Sequence, residues 1–379
     1  MASRRAVVVG GGIGGLAAAI GLRRVGWEVT VLERAPELTA IGAGISLWPN
    51  AQRALAELGV EPRISPQSGG GLVDWRGRRL ANWDADLFVR SHGLPLGAIH
   101  RANLIETLRS ALPESCLKTG VEVTSIEQNG LVHHDSGLIE ADLVVAADGI
   151  NSPIRQALFP AARVEYSGGA AFRGIAKLPL KPTLSTTWAA GIEIGVLPLL
   201  DDEVYWWVSE ARLAGIRHDD VRAYLSAKYS RWHDPIPQLI DATPEILLHD
   251  THHLATPLPS YVRGRIALLG DAAHAMPPFL GQGGCQALED AVVLASHVKA
   301  STVDEALHRY DAERRPRTQK VAKASIQAGA SGPLLRNPAA VALRAAFTRL
   351  LPASVTTRVG ASISRWQPPR LTPAPLQKP

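Results

Sequence analysis

A glycine-rich hexapeptide near the start of the chain has the residue types and spacing that bind phosphate. Gly10-Gly11-Gly12-Ile13-Gly14-Gly15 follows an apolar run at 6–9, and Glu33 closes the next apolar run, at 28–32. A strand, a glycine turn, a helix and a second strand that ends in an acid form the unit that binds dinucleotides. The sequence therefore predicts a nucleotide site in the first part of the chain.

The glycines of this turn have different expected roles. Gly10 permits the tight turn, Gly12 lets the backbone approach a pyrophosphate, and Gly15 lets helix and strand pack closely. The helix that starts here points free N–H groups and a partial positive charge at the phosphates. The Glu33 carboxylate would accept hydrogen bonds from a ribose diol. These residues predict a dinucleotide without distinguishing NAD from FAD.

Two further acids follow predicted buried strands. Asp148 opens the motif D-G-x-x-S-x-x-R, which ends at Arg155, after a strand at 141–147. Asp271 lies in the motif G-D-A-A-H-x-x-P, Gly270 to Pro277, after a strand at 265–269. Ligands bind at the carboxyl ends of the central strands in sheets of this kind. Both acids are therefore expected at the same edge as the glycine turn.

The three motifs together resemble the fingerprints of the flavoprotein aromatic hydroxylases, the single-component FAD monooxygenases typified by p-hydroxybenzoate hydroxylase. The match covers roughly residues 5 to 320. Gly42-Ala43-Gly44-Ile45 with Pro49-Asn50-Ala51, and the run from Gly281 to Ala291, are similar to its shorter members. Those members include salicylate, 3-hydroxybenzoate and urate hydroxylases and carotenoid epoxidases.

The resemblance implies a fold and a reaction. The fold is α/β, with a Rossmann-like FAD-binding domain, an inserted β-sheet substrate domain and C-terminal helices. The reaction uses NADPH or NADH as a transient co-substrate to reduce bound FAD. Oxygen then forms a C4a-hydroperoxide, which hydroxylates or epoxidises a small aromatic or conjugated substrate. The protein's part in such chemistry is to position the substrate, exclude water and tune charge.

The resemblance also implies roles for individual residues. Glu33 would hold the adenosine ribose, Arg101 the pyrophosphate or ribityl chain, and Asp271 a ribityl hydroxyl. Asp148 and Arg155 belong to a motif that serves both FAD and NAD(P)H. The complete expected cofactor-binding set is Gly10, Gly12, Ile13, Gly14, Gly15, Glu33, Arg34, Gly44, Arg101, Val123, Asp148, Gly149, Arg155, Gly270, Asp271, Pro277, Gly281, Gln282, Gly283 and Gly284.

The loop from Gly281 to Gly284 has a physical argument of its own. It opens a helix, so free N–H groups can face the edge of a flavin that becomes negatively charged on reduction. The acids Glu289 and Asp290 are expected to complement the dipole of this helix. Cys285 is expected to be a small packing residue, and His274 to orient its loop or, alternatively, to act in catalysis.

Strand and helix signals alternate along the chain and predict a discontinuous organisation. The FAD-binding domain is expected at 1–71, 98–166 and 263–330, with the substrate domain at 72–97 and 167–262 and a helical segment at 331–379. Short strands carrying Trp75 and Trp83 are expected at 72–97. Helices are expected at 51–58, 101–112, 219–229, 235–242 and 285–299.

The substrate site is the least determined part of the sequence. Tryptophans concentrate in the predicted substrate domain, so an aromatic pocket is expected to include Trp188, Trp206, Pro278 and Phe279. No residue identifies itself as the base that would activate a phenol. Arg173, Tyr205, His218 and His100 are candidates by position only. Gly191-Ile192-Glu193 has no arginine where urate hydroxylase would need one, so urate is not expected as the substrate.

Composition excludes several classes of protein. The net charge of +5 arises in residues 331–379, which hold seven basic side chains and no acid, so nucleic-acid binding is not expected. No membrane span is expected, and Cys116 and Cys285 fit a reducing cytoplasm. No metal site is expected, because His249, His252 and His253 do not share one strand face. The basic tail is expected to pack on the FAD domain, with anionic lipid as an alternative contact.

Three rival functions share the fingerprint. A flavin-dependent halogenase should carry W-x-W-x-I-P, which the sequence lacks. A flavin oxidoreductase would consume NAD(P)H without oxygenating a substrate, and a binding protein would sequester a pathway intermediate without turnover. The chain is expected to be a monomer or a homodimer.

Overall fold

The computed structural model describes residues 4–38 and 43–371, so Gly42 of the predicted loop lies outside the described residues. The strands are, in chain order, β1 (Arg5–Val9), β2 (Glu28–Glu33), β3 (Gly44–Leu47), β4 (Ser65–Pro66), β5 (Gly70–Asp74), β6 (Arg79–Trp83), β7 (Gly97–His100), β8 (Leu117–Thr119), β9 (Val123–Ile126), β10 (Leu131–His134), β11 (Gly137–Glu140), β12 (Leu143–Ala146), β13 (Val164–Lys177), β14 (Leu184–Ala189), β15 (Ile192–Pro198), β16 (Glu203–Ala211), β17 (Leu247–Leu254), β18 (Val262–Arg263) and β19 (Ile266–Leu268).

The α-helices are, in chain order, α1 (Ile13–Arg24), α2 (Pro49–Glu57), α3 (Ala85–His92), α4 (Arg101–Ser110), α5 (Pro153–Leu158), α6 (Val221–Tyr229), α7 (Ile236–Ala242), α8 (Asp271–His274), α9 (Gly283–Ala300), α10 (Val303–Ser331), α11 (Pro338–Leu350), α12 (Ala353–Thr356) and α13 (Ala361–Ser364). Short 3-10 helices lie at Glu114–Cys116 and Pro278–Leu280. Among the helices so described, none is long and apolar enough to cross a membrane.

A six-stranded sheet places the predicted motifs side by side. Its strand order is β18-β19-β12-β1-β2-β8, and all neighbours are parallel except β18 and β19. Strands β1 and β12 are almost entirely apolar and buried, as expected for a sheet covered on both faces. Because β19, β12 and β1 are neighbours and parallel, the three segments that follow them emerge at one edge. This edge is called the carboxyl edge below.

A seven-stranded sheet, in the order β17-β13-β16-β15-β14-β5-β6, forms the second layer. Side chains alternate between its two faces. The outer face packs Phe172, Trp206 and Val208 against α6 and α7. The inner face is defined by Arg173, Trp188, Glu193, Gly195, Leu197, Tyr205 and Trp207, and part of it packs against Ala43 and Phe88. The division of the chain into two domains stays a prediction.

One predicted segment is wrong in its secondary structure. The expectation of strands alone at 72–97 misses α3, which begins after Asp84, whose carboxylate accepts a hydrogen bond from the Leu87 N–H at 2.7 Å. Phe88 and His92, one turn apart, are buried and their rings stack at 3.9 Å. A side-chain cap and a buried i, i+4 pair favour a helix here over a strand.

The C-terminal segment packs on two parts of the molecule. Its end contacts the core around the six-stranded sheet, where α13 packs on α2 and Leu371 is buried, whereas α11 lies against β6 of the seven-stranded sheet. Its residues Leu343, Phe347 and Leu350 point outward and are 73%, 62% and 82% exposed. The apolar side of the predicted helix therefore faces solvent, and residues 372–379 lie outside the described residues.

Candidate active site

The glycine turn has the conformation that the sequence predicts. Gly10 has φ +106°, and a Cβ there would overlap the carbonyl oxygen of Ala147 at the end of β12. A Cβ at Gly15 would overlap the carbonyl oxygen of Gly10, so α1 and the turn can approach only without a side chain. A Cβ at Gly12 would meet nothing within 4 Å among the described residues. Gly12 is therefore the position at which a ligand can reach the backbone.

Glu33 is held at the end of β2 beside this turn. Its Oε2 accepts a hydrogen bond from the Gly11 N–H at 2.6 Å, and its Oε1 accepts one from the Ala35 N–H at 2.8 Å. Each carboxylate oxygen keeps acceptor capacity for a hydroxyl. Arg34 is exposed and Val123 is half-buried in β9, and their expected part in binding stays a prediction.

Arg155 joins the two acid loops at the carboxyl edge. The side chain is buried, and its two terminal nitrogens donate to the Ile150 oxygen at 2.6 Å and the Ala272 oxygen at 3.3 Å. Burial lowers the pKa of this guanidinium, and the charges of Asp148 and Asp271 oppose that shift. These contacts support a role in positioning the loops, and the direct contact with a cofactor stays a prediction.

Asp148 and Asp271 face the same edge. Among the described residues, Oδ1 of Asp148 is buried without a hydrogen-bond partner, and desolvation raises the pKa of this carboxyl. Gly149 follows with φ +82°, and Gly270, with φ +63°, precedes Asp271 at the start of α8. Asp271 is exposed at the first position of α8. Desolvation by the surrounding protein raises the pKa of its carboxyl, and the charges of His274, Arg101 and Arg155 oppose that rise.

The loop from Gly281 to Gly284 packs directly on β3. A Cβ at Gly281, which has φ +61°, would lie 2.8 Å from the Ser46 hydroxyl oxygen, and one at Gly284 would lie 2.9 Å from Ile45. Helix α9 begins at Gly283, after the buried Gln282, so its free N–H groups lie at this loop. Pro277, before the loop, is anchored through its carbonyl oxygen, which accepts from the Ser325 hydroxyl at 2.6 Å.

A buried ionic network lies beneath this loop and was missed by the sequence analysis. Arg314 of α10 is fully buried and donates from Nε to Asp290 and from a terminal nitrogen to Glu289, each at 2.6 Å. His274 Nε2 lies 2.6 Å from the other Asp290 oxygen, and Asn50 donates to both Glu289 and Gln282. The network thus connects α10 to the residues that flank the loop.

The expectation that Glu289 and Asp290 complement the helix dipole is wrong. Both lie beyond the first turn of α9, where the dipole effect has fallen off, and they pair with Arg314 instead. Desolvation alone would raise the pKa of Asp290, but the charges and hydrogen bonds of His274 and Arg314 lower it to about 2. Two adjacent acids in an otherwise apolar helix could have indicated this network, because carboxylates that are buried need a cation as partner.

Cys285 confirms its predicted packing role. The thiol is fully buried in α9, and burial raises its pKa to about 12, which removes thiolate reactivity at neutral pH. His100 caps α4, because its Nδ1 accepts from the Ala102 N–H at 3.1 Å. In the described ranges, no group of three or more His, Cys, Asp or Glu residues is placed to hold a metal.

The inner face of the seven-stranded sheet meets the carboxyl edge at Tyr205. A Cβ at Gly44 would lie 2.5 Å from Tyr205 Cβ, and Arg173 lies on the neighbouring strand. Burial raises the pKa of Tyr205, while the positive charges of Arg173 and Arg101 lower it in part. Of the catalytic candidates, Tyr205 therefore lies at the carboxyl edge, and Arg173 is close enough to act on its pKa.

Two predicted residues lie on the wrong side of the sheet. Trp206 is on the outer face, where its Nε1 donates to the Thr243 hydroxyl at 2.8 Å within the core. His218 also lies there, stacked on Tyr224 with ring centroids 3.7 Å apart. Neither side chain can line a pocket on the inner face. The period of two along β16 puts Tyr205 and Trp207 there instead of Trp206.

The remaining pocket predictions fall near one another. Phe279 packs against Gly329, and Trp188 packs against Gly332, so both contact the last turns of α10. Pro278 is exposed at the start of the 3-10 helix that carries Phe279. Their expected place in a substrate pocket stays a prediction.

Comparison with known proteins shows the family to which this chain belongs. The family model described as FAD binding domain matches residues 4–325. An aurachin C monooxygenase/isomerase from Stigmatella aurantiaca is 36% identical over 340 residues, which cover 86% of this chain and 89% of that protein. A 6-hydroxynicotinate 3-monooxygenase from Pseudomonas fluorescens is 31% identical over 362 residues, covering 85% of this chain and 90% of that protein.

The fold has a solved counterpart with its ligands. The crystal structure of Klebsiella pneumoniae HpxO complexed with FAD and uric acid superposes with a TM-score of 0.89 at 26% identity, covering 95% of this chain and 96% of that one. The open backbone at Gly12 and the unpaired Asp148 oxygen fit a bound dinucleotide. The chain belongs to the FAD binding domain family, and it is an FAD-dependent monooxygenase of the aromatic hydroxylase type.

Proposed function

We propose that this enzyme hydroxylates a hydroxylated nitrogen-heteroaromatic ring, with NADPH or NADH as reductant and O2 as oxidant. The observation that carries the proposal is the meeting of Arg173 and Tyr205 with the carboxyl edge at Gly44 and Arg101. Relatives named for 6-hydroxynicotinate and a structure that contains uric acid support a nitrogen heterocycle that bears an ionisable oxygen.

The described residues would divide the work between holding FAD and orienting the ring. Glu33, Asp271, Arg101 and the N–H groups that open α9 would bind the cofactor. Bound FAD supplies the activated oxygen after reduction and reaction with O2. Tyrosine is protonated at neutral pH, and burial raises the pKa of Tyr205 further, so this residue would act as a hydrogen-bond donor to substrate instead of as a base.

Isotope incorporation tests the reaction. The FAD-loaded enzyme is mixed with NADPH or NADH under 18O2, with 6-hydroxynicotinate, urate or 4-hydroxyquinolin-2-one, and products are analysed by mass spectrometry. One labelled oxygen in the product supports the proposal. Consumption of NAD(P)H with unlabelled organic product supports an oxidoreductase. Ligand binding without stimulated NAD(P)H oxidation supports a sequestering protein.

We also infer that the exposed side of α11 contacts anionic lipid. Leu343, Phe347 and Leu350 recur at i, i+4 and i+7 and form an apolar strip. The segment 331–379 around it carries seven basic residues and no acid, which complements a negatively charged surface. Such contact would place the enzyme near substrates that partition into membranes.

Vesicle sedimentation tests this contact. Phosphatidylserine vesicles at low salt should bind the wild-type protein, and replacing all three apolar residues by serine should abolish binding. Equal binding by the serine variant, or no binding at low salt, contradicts it. Self-association that the serine variant loses, in the absence of lipid binding, would identify the strip as a homodimer interface.

A cytoplasmic location is part of the same proposal. Cys116 and Cys285 are both buried free thiols, which fits a reducing compartment. Cell fractionation at high salt, which releases protein held on anionic lipid by charge, should recover the protein with cytoplasmic markers. Recovery with a periplasmic or secreted fraction would contradict this location.

A further inference from the structure

Two tryptophans on the inner face are fixed by one carboxylate. Trp188 Nε1 donates to Glu193 Oε2 at 2.8 Å, and Trp207 Nε1 donates to Glu193 Oε1 at 3.0 Å. The Glu193 side chain is buried, and burial raises its pKa while both indole N–H groups and the Arg344 charge lower it in part. A carboxylate that accepts from two indoles sets the orientation of both rings.

Gly195 determines where the Trp207 ring lies. Gly195 is the cross-strand partner of Trp207, and a Cβ there would overlap the six-membered ring of the indole. The ring therefore lies over the backbone of β15. Strand β16 is an interior strand of the sheet, between β13 and β15, and the Trp207 residue on it is only half-buried. Part of the indole is thus accessible in the middle of the sheet, on the side that Tyr205 joins to the carboxyl edge.

Arg173 lies on the other side of Trp207. The two residues are cross-strand partners between β13 and β16, so the Arg173 side chain starts one strand from Trp207. Within residues 4–38 and 43–371, no hydrogen bond or ion pair involves its half-buried guanidinium. Its positive charge acts on its neighbours, and after burial it is the next cause that lowers the pKa of His249. A half-buried cation with no protein partner keeps its hydrogen-bond donors available for an anionic ligand.

We propose that the Trp207 indole stacks on the ring of the substrate while Arg173 binds an anionic oxygen at the edge of that ring. Strands β13 and β15 are two spacings apart, about 10 Å, and the long arginine side chain covers part of that distance. One planar aromatic anion can therefore contact both groups. Glu193 is a positioning residue, since it acts through the indoles. This inference rests on the proposed function and defines its substrate class.

Equilibrium binding to the oxidised, FAD-loaded enzyme tests this site without turnover. The anionic probes are 6-hydroxynicotinate and 4-hydroxyquinolin-2-one, and their neutral partners are 6-hydroxynicotinamide and quinolin-2-one. At least one anionic probe should bind about 10-fold or more tightly than its neutral partner. The variant Arg173→Met should bind both members of that pair equally.

Four variants separate the effect of stacking from an effect on folding. Trp207→Ala should weaken anionic and neutral probes together by about 10-fold, and Trp207→Phe should retain most of the affinity. Glu193→Gln should weaken binding by a smaller factor and alter the near-ultraviolet circular dichroism of the indoles, because its amide N–H opposes one indole N–H. Trp206→Phe on the outer face is the matched control and should leave probe affinity unchanged. FAD content reports folding in every variant.

Three results would overturn the site. They are the absence of binding by either anionic probe, equal affinity for charged and neutral partners in the wild-type enzyme, and an unchanged preference in Arg173→Met. NAD(P)H and O2 are absent from this assay. Failure to incorporate 18O with these compounds would therefore count against the proposed reaction and leave the binding result intact.

Discussion

The carboxyl edge of the six-stranded sheet and the inner face of the seven-stranded sheet are built in different ways. At the edge, short motifs place Gly10, Asp148 and Asp271 after three adjacent strands, so each motif carries its own geometry. On the inner face, Arg173 and Trp207 meet because two strands from distant parts of the chain pair in one register. The first kind of site depends on local sequence, and the second depends on tertiary pairing.

The largest expected effect comes from a substitution at the tightest contact in the glycine turn of the carboxyl edge. Gly15→Ala places a methyl group on the carbonyl oxygen of Gly10, so α1 must move away from the turn. We expect a loss of more than about 4 kcal/mol in the free energy of unfolding, and FAD binding should disappear. Gly12→Ala is the matched control, because its Cβ meets nothing within 4 Å; it should fold normally and only weaken FAD binding. A normally stable Gly15→Ala protein would contradict this packing.

The next effect concerns the network beneath the edge. Arg314→Met leaves Asp290 and Glu289 buried without their cation, which costs about 3–5 kcal/mol of stability. Arg317→Met is the control, because Arg317 is partly exposed and Glu289 keeps Arg314. Urea unfolding of both variants measures the difference. Equal losses of stability in the two variants would show that the buried Arg314 contributes no more than the partly exposed Arg317.

The sequence predicted the edge well and the inner face poorly, for a physical reason. Glycines with φ above zero and acids after apolar strands are visible in one dimension, as at Gly10 and Asp271. The side of a sheet that a residue faces depends on strand register, so Trp206 was assigned to a pocket although it lies on the outer face, and its neighbours Tyr205 and Trp207 lie on the inner face. Arg314 was missed because its partners lie on another helix, too far away in the sequence for a local pattern to connect them.

Low pH should lower the free energy of unfolding through protonation of Asp290, which lies beneath the carboxyl edge. Its folded pKa of about 2 lies below its ordinary value of 3.8, so its contribution is complete above about pH 5 and is lost as the pH falls towards 2. The contribution is about 2 kcal/mol. The difference in unfolding free energy between the wild-type protein and Asp290→Asn should therefore shrink over this interval. A difference that stays constant from pH 5 to pH 2 would contradict the assignment.

The smallest predicted effect separates the two faces of the seven-stranded sheet. Tyr205→Phe removes a hydrogen-bond donor from the inner face and should lower kcat/KM about 10-fold, with FAD affinity unchanged. Trp206→Phe removes the bond to Thr243 on the outer face and should lower stability while kcat/KM stays the same. Steady-state kinetics with the substrate that incorporates 18O make the comparison. The reverse pattern would place the site on the outer face.

The central claim, that the carboxyl edge binds FAD and the inner face selects substrate, is tested most directly by titrating FAD into the apo-protein. Flavin fluorescence gives the dissociation constant for the wild-type chain, Asp271→Ala and Tyr205→Phe. We predict that Asp271→Ala raises this constant by about 10-fold or more, because a hydrogen bond to a charged group is lost, whereas Tyr205→Phe leaves it unchanged. Wild-type FAD affinity in Asp271→Ala would contradict the claim.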